Sequence, residues 1–337
     1  MDGWGRVRPI FCLAPPLAMD VAAAQEGLVS GPVGGPVTSL REAVGDEQEW
    51  RSAVLQAVTA GAVDAAAGPD GVRPSHLRQL LVLPGTGLAL KAVVARYVDA
   101  VAESKAHSVA YGLRMAPVRK DGGGWRPVGV GSVFRRAAAA VAAAALTPEL
   151  VGELELDGQL GLAEAGPQRF YLRAQRAASE GLVVAKLDVR NAFNELDRRV
   201  VLRAAREIAG RTVGVARAAA ATFHNLCSDD DQVHLRLSEG ARTVRAQRGV
   251  VQGCPGGSLL FNVAMRDVLV GLRGSLREEG VDFRPMPSLG GSGTYLAEGV
   301  VGYVALHDDV VIAVWGGVGC GGAVAGREVG AGDWGRG

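Results

Sequence analysis

The segment Tyr303-Val304-Ala305-Leu306-His307-Asp308-Asp309-Val310-Val311-Ile312 decides how this chain is read. Two adjacent carboxylates interrupt a run that is otherwise almost wholly apolar. Buried and unpaired within one strand they would be costly. At the tip of a β-hairpin both can project to one side, so the pattern predicts two apolar strands within Gly302 to Val314, joined around Asp308-Asp309. Gly181 to Leu187 reads as a second, short buried strand, Leu-Val-Val-Ala-Lys-Leu, that ends at Asp188. If it pairs beside the hairpin, three carboxylates converge. Hard oxygen ligands of this kind suit Mg²⁺, which takes one or two carboxylates plus substrate phosphates. Two such ions about 3.5–4 Å apart would stabilise the attacking and leaving oxygens of a phosphoryl transfer. A solvated hairpin turn and an unrelated strand-end Asp account for the same pattern, and on these residues alone both readings stay open.

On the N-terminal side of that run, Lys186-Leu187-Asp188-Val189-Arg190-Asn191-Ala192-Phe193-Asn194 resembles motif A of the reverse transcriptases. Gly249-Val250-Val251-Gln252-Gly253-Cys254-Pro255-Gly256-Gly257-Ser258-Leu259-Leu260-Phe261-Asn262 resembles their motif B, and Leu306-His307-Asp308-Asp309 stands where motif C has Y-x-D-D. The three occur in the family's order. Upstream, Val118 to Val128 looks like the fingers hairpin that contacts the incoming triphosphate, and Gly68-Pro69-Asp70-Gly71-Val72 looks like the pre-finger motif of the non-LTR retrotransposon enzymes. The resemblance runs from about Ala67 to Val314.

The resemblance implies an α+β fold: a palm with a small antiparallel sheet backed by helices, and fingers made of helices and a hairpin. It implies RNA-templated DNA synthesis with two Mg²⁺ ions, or Mn²⁺ in their place. The partners would be an RNA template, a DNA primer and deoxynucleoside triphosphates, with no membrane. Asp188 and Asp308 would hold the ions, with Asp309 a third acid of lesser metal contact. Phe193 would set an aromatic ring against the sugar, where it would clash with a 2′-hydroxyl; core packing at a helix start is its other reading. Arg119, Lys120 and Arg126 would hold triphosphate oxygens, a guanidinium binding phosphate as a bidentate fork; a solvated charged hairpin is theirs. Gln252 and Gly253 would floor the nucleotide, Gly allowing close backbone approach. Lys186 reads as a neighbouring charge and His307 as a turn residue. Another palm polymerase that makes RNA, or a remnant that keeps the fold without turnover, fits the same motifs.

The sequence also departs from the family. Gly256-Gly257-Ser258 replaces the usual hydrophobic-Ser-Pro, which is expected to loosen the turn into the next helix, and Leu306 replaces an aromatic. Asp188 and Asp308 stand 120 positions apart, which implies insertions. Beyond Val314 only Gly-rich sequence follows, so a C-terminally truncated chain without a thumb is expected.

Composition sets the remaining bounds. The 337 residues are 48% hydrophobic and 21% charged, enough apolar material for one or two folded domains. The formal charge is +1, which excludes a strongly basic nucleic-acid-binding tail as the main feature. Only four of the 36 basic residues are lysine, leaving 32 arginines. With abundant Ala, Gly and Val this reads as coding bias, so those residues carry little structural information. Cys12, Cys227, Cys254 and Cys320 form no zinc-ligand pattern and read as reduced thiols. No apolar run reaches the roughly 18 residues that span a bilayer. An intracellular, nuclear location without secretion is expected.

The organisation read from these signals is a Gly/Pro-rich flexible lead-in over 1–45 and a helical pre-finger region over 46–115. A fingers-palm domain over 116–315 and a Gly-rich disordered tail over 316–337 follow. Helices are expected from Glu47 to Val63, from His76 with Ser75 as cap, over Leu88 to Val101, and through the alanine run to Thr147-Pro148. Asp197 caps a further helix to Ala209, and one more follows Pro255. Met115 to Val118 and Trp125 to Val130 read as a strand pair, and Asp229-Asp230-Asp231 as a solvated turn.

Overall fold

A computed structural model describes residues 39–59, 65–98, 112–119, 123, 125–189, 192–226, 232–237, 240–245, 248–250, 253–289 and 295–315. The lead-in as far as residue 38, the tail from 316, Lys120, Gln252 and the Asp229-Asp230-Asp231 run lie outside the described residues.

Among the described residues two four-stranded sheets and a helical body make an α+β architecture. The first sheet has the order β2-β1-β4-β5, with β1 Leu113–Arg119, β2 Trp125–Gly131, β4 Gln232–Leu237 and β5 Gly240–Arg245. β1 and β2 form the expected hairpin, with Val118 opposite Arg126 and Arg119 opposite Trp125. The second sheet has the order β3-β8-β7-β6, with β3 Leu182–Asp188, β6 Asp282–Pro285, β7 Val300–Leu306 and β8 Asp309–Trp315. β3 and β7 run antiparallel to β8, but β6 runs parallel to β7, so this sheet is mixed rather than purely antiparallel. The reason is connectivity: β6 leaves a helix and reaches β7 through a long excursion rather than a tight turn, and parallel pairing requires such a crossover.

The described helices are α1 Leu40–Val44, α2 Glu47–Thr59, α3 Pro74–Leu80, α4 Thr86–Val98, α5 Val133–Leu156, α6 Gly166–Ser179, α7 Ala192–Glu195, α8 Arg198–Arg211, α9 Gly214–Leu226 and α10 Gly257–Glu278. α1 falls within the stretch read as lead-in; its Ser39 capping box and buried Leu40 tie it to the body. α3 begins at Pro74 rather than His76, because proline is preorganised for the first helical position and gives up only an orphan N–H there. α5 does not stop at Pro148 but continues to Leu156, where Leu150 and Leu154 prolong its buried face. By length and composition α5 could also cross a membrane, yet here it is a core helix against α2, α4 and α9. α8 is capped as expected, the Asp197 carboxylate accepting from the Arg199 N–H, and it buries Val201, Ala204 and Ile208.

The core falls into one large helical cluster and two small ones on opposite faces of the second sheet. The large cluster centres on Trp50, Val94, Leu146, Phe223 and Phe261. α6 covers the face of Leu182, Val304, Val311 and Ala313 through Ala177, with Phe170 and Ala174 beside it. α10 covers the other face, where Leu269 packs with Tyr303, Ala305 and Val310.

Candidate active site

The pairing of β3 with β8 sets Asp188 directly opposite Asp309, and β7 pairs Leu306 with the same Asp309. His307 and Asp308 form the two-residue turn between β7 and β8. Side chains of directly opposed residues share one face, with Cβ atoms about 4.5–5.5 Å apart. Asp188 and Asp309 therefore lie side by side on the sheet face that α6 covers further along. Lys186, two residues before Asp188, shares that face, and its Nζ lies 2.8 Å from Asp309 Oδ1. The hydrogen bond that the Lys186 ammonium donates to Asp309 raises its pKa above the ordinary lysine value, and the charges of Asp309, Asp188 and Asp308 add to the effect. All three expected acids thus act on one ammonium. Among the described residues no three His, Cys, Asp or Glu side chains form a group able to hold one ion. The fold assembles a pair, Asp188 opposite Asp309, with Asp308 one step away in the turn.

The turn is held from below. His307 has a φ of +56°, the left-handed region that non-glycine residues avoid. The Gln159 side chain, buried, accepts from the His307 N–H at 3.0 Å and donates through Nε2 to the His307 carbonyl at 3.1 Å. The same Gln159 oxygen accepts from the Gly161 N–H at 3.0 Å. His307 Nδ1 lies 3.2 Å from Asn262 Oδ1 on α10, and burial pushes the imidazole below its ordinary pKa, against the pull of Asp308 and Asp309. A Cβ at Gly161 would overlap Asn262 Oδ1 and lie 2.7 Å from His307 Nδ1, so a side chain there would have to displace this pair.

Phe193 is half-buried, its ring stacked on Phe261 at 4.1 Å and 9° and tilted against His307 at 6.1 Å. It sits beside the acidic tip and is also packed against the helical core. The chain leading into α10 is pinned to this region: Val250 N–H donates to the Phe193 carbonyl at 2.7 Å, and the buried Arg198 Nε donates to the Gly249 carbonyl at 2.6 Å. Gly253, at φ +101°, approaches β2 so closely that a Cβ would lie 3.1 Å from the Gly129 carbonyl oxygen. That contact joins the segment before α10 to the β1–β2 hairpin. Arg119 is exposed near the hairpin's end; no ion pair or hydrogen bond among the described residues links it to the acids. Arg126 occupies its place in β2. No motif in the sequence marks Gln159 or Arg198 for a role at the turn, and Asn262 stands there only as the last residue of the motif B resemblance. Gln159 carried only one weak signal, the glycines Gly158 and Gly161 on either side of it.

An acidic hairpin tip beside a paired acidic strand end, with the Phe193 ring against His307 of the turn, is what this α+β domain presents. No protein-family model matches the chain. The "Retrovirus-related Pol polyprotein from type-1 retrotransposable element R2" of Popillia japonica is 25% identical over 213 residues, which cover 59% of this chain and 27% of that protein. The chain thus matches about a quarter of that relative's length. That match supports a reverse-transcriptase-like domain here. Similar solved structures are a telomerase from Candida albicans (TM-score 0.41, 9% identity, 60% of this chain and 38% of that one) and an apo telomerase from Candida tropicalis (TM-score 0.39, 12% identity, 72% and 49%).

Proposed function

We propose that this domain is the fingers and palm of a reverse transcriptase that extends a DNA primer on an RNA template by two-metal nucleotidyl transfer. The observation that carries the proposal is the β3–β8 register, which sets Asp188 opposite Asp309 beside the turn that holds Asp308. The donor chemistry fits Mg²⁺: these are hard carboxylate oxygens, two of them adjacent, and Mg²⁺ completes its shell with water and substrate phosphate. Asp188, Asp308 and Asp309 would hold the ions. Bound there, they would neutralise charge on the triphosphate and favour attack by the primer 3′-hydroxyl.

The chain's own residues account for the rest. Phe193 would present its ring edge to the sugar and select against a 2′-hydroxyl, and its stack on Phe261 would keep it from yielding. Arg119, Lys120 and Arg126, on and beside the β1–β2 hairpin, would grip triphosphate oxygens. Gln252 and Gly253 would floor the nucleotide, with Gly253 close to β2. The Lys186–Asp309 pair would keep the acidic pair from repelling itself before the ions arrive.

The test is Mg²⁺-dependent primer extension on an RNA template, with Asp308→Asn as control. Extension with deoxynucleotides that falls to background in the control is expected. Extension with ribonucleotides only would favour a polymerase that makes RNA. Binding of primer-template without any extension would favour a remnant that keeps the fold.

A further inference from the structure

The edge of β7 is paired past the point where its neighbouring strand ends. β6 pairs with β7 only as far as Tyr303, and the Met286 N–H then donates to the Tyr303 carbonyl at 2.7 Å. The segment after α5 takes over. Ala305 N–H donates to the Gly158 carbonyl and Leu160 N–H donates to the Ala305 carbonyl, both at 2.8 Å. The next position that needs such pairing is His307, and there the backbone has already turned away. The Gln159 side-chain amide supplies what a strand would have supplied, one acceptor and one donor, to the N–H and carbonyl of His307.

We infer that Gln159 is the positioning residue of the catalytic turn: its buried amide acts as a strand surrogate that fixes His307 in its left-handed conformation and thereby sets where Asp308 and Asp309 stand. This rests on the reading of those carboxylates as the metal-holding pair. Three features support it. The amide is fully buried, so no water competes for its bonds. Each of its polar ends is engaged, the oxygen twice and the nitrogen once. A left-handed non-glycine residue persists only where its surroundings over-determine it, and His307 is gripped on its N–H, its carbonyl and its ring. Gln159 touches no reacting atom, so its effect passes entirely through the turn.

The test compares Gln159→Met, of similar length but without these bonds, with Gln159→Glu, which keeps the oxygen acceptors and loses the donor to the His307 carbonyl. Three readouts are taken on the full chain. Primer extension should show kcat falling about 100-fold in Gln159→Met, the size of effect expected when a reacting group shifts by about 1 Å, while KM for the deoxynucleotide stays put. Mn²⁺ titration by electron paramagnetic resonance should show weaker binding than the parent. Hydrogen exchange should show the His307 amide protected in the parent and open in the variant, with most strand amides unchanged. If Gln159→Met fails to fold, Gln159→Glu is judged alone, and a drop in kcat at constant KM with faster His307 exchange is the expected result. A variant that keeps parental kcat, Mn²⁺ affinity and His307 protection overturns the proposal. A parent that neither extends primers nor binds Mn²⁺ overturns the reading of the reaction instead; the exchange at His307 then decides whether Gln159 still fixes the turn.

Discussion

At Gly256 the backbone leaves no room for a side chain. A Cβ there would fall inside the ring of Phe223, which is fully buried between α9 and the start of α10. Its φ of −81° is one that any residue adopts, so the requirement is steric and not conformational. Gly271, further along α10, has nothing within 4 Å of where its Cβ would stand and is exposed. The two glycines should therefore respond with opposite signs. Gly256→Ala should destabilise by about 1–3 kcal/mol through overpacking, and Gly271→Ala should stabilise by about 0.5–1 kcal/mol by stiffening the unfolded chain and favouring helix. Urea unfolding followed by circular dichroism checks both; a neutral Gly256→Ala would mean that Phe223 can move aside. The sequence alone invites the reverse reading, in which paired glycines loosen the entry to α10. In a chain of 48 glycines, one kept for close contact and one supplied by coding bias look alike. The acids were legible because carboxylates in an apolar run are costly and stand out, whereas Gly161 and Gly256 were not.

Among the elements, those with a cost to explain were the readable ones. β7 and β8 are apolar runs on either side of the acidic turn, and α8 announces itself with the Asp197 cap; β3, expected to be buried, is buried only at Leu182 and exposed from Ala185 to Asp188, because it is the edge strand of its sheet. α6 was hidden because Arg173 and Arg176 stand among its inward-facing residues, Arg173 fully buried, which breaks the apolar stripe. α9 was hidden because its face is built of alanines. The junction of β7 with its neighbours was equally hidden, and Tyr303 is its keystone. Its ring stacks on Phe283 of β6 at 4.4 Å, and its hydroxyl donates to the Asp157 carbonyl at 3.1 Å. Asp157 in turn holds Arg266 of α10, Nε to Oδ2 at 2.6 Å. Burial pushes the Tyr303 phenol up to about 12. The folded chain thus keeps this proton between the ordinary value of 10 and about 12, where the unfolded chain releases it. Tyr303 therefore contributes its full stability below pH 10 and loses it as pH rises through about 12. Tyr303→Phe should cost about 1 kcal/mol at neutral pH for the lost bond. In that alkaline window it should flatten the fall of stability by up to about 1.4 kcal/mol per pH unit. Tyr295, also pushed up to about 12 by burial, should keep the remaining slope. Urea midpoints across the alkaline range test this; an unchanged slope would mean that Tyr303 is hydrated in the folded chain.

At the scale of the whole molecule, the placement of the acidic turn depends on two bodies acting as one. α10 enters the large cluster with Leu259, Leu260 and Phe261 and reaches the underside of the second sheet with Leu269. α5 runs through the large cluster and its last turn delivers Gly158, Gln159 and Gly161 to the hairpin tip. A defect deep in α5 should therefore loosen the sheet as well as the helices. Leu146 is the place to make it, since it is fully buried at the middle of that helix. Leu146→Ala should cost about 2–5 kcal/mol, the transfer loss plus the cavity left behind. The two bodies carry separate reporters: Trp50 is buried in the large cluster, while Trp315 of β8 donates its Nε1 hydrogen to the Leu296 carbonyl at 2.6 Å. Unfolding of Leu146→Ala is followed once with Trp50 and once with Trp315 as the sole tryptophan, the other four of the chain's five replaced by Phe, each against the same background with Leu146 intact. If the molecule is one cooperative unit, both reporters should shift to the same lower midpoint, as coincident probes do in a two-state transition. A Trp315 midpoint that stays at its parental value while Trp50 moves would separate the sheet from the helical body. In that case the turn that holds Asp308 would be set by the sheet together with Gln159 and Asn262, and not by the helical core as a whole.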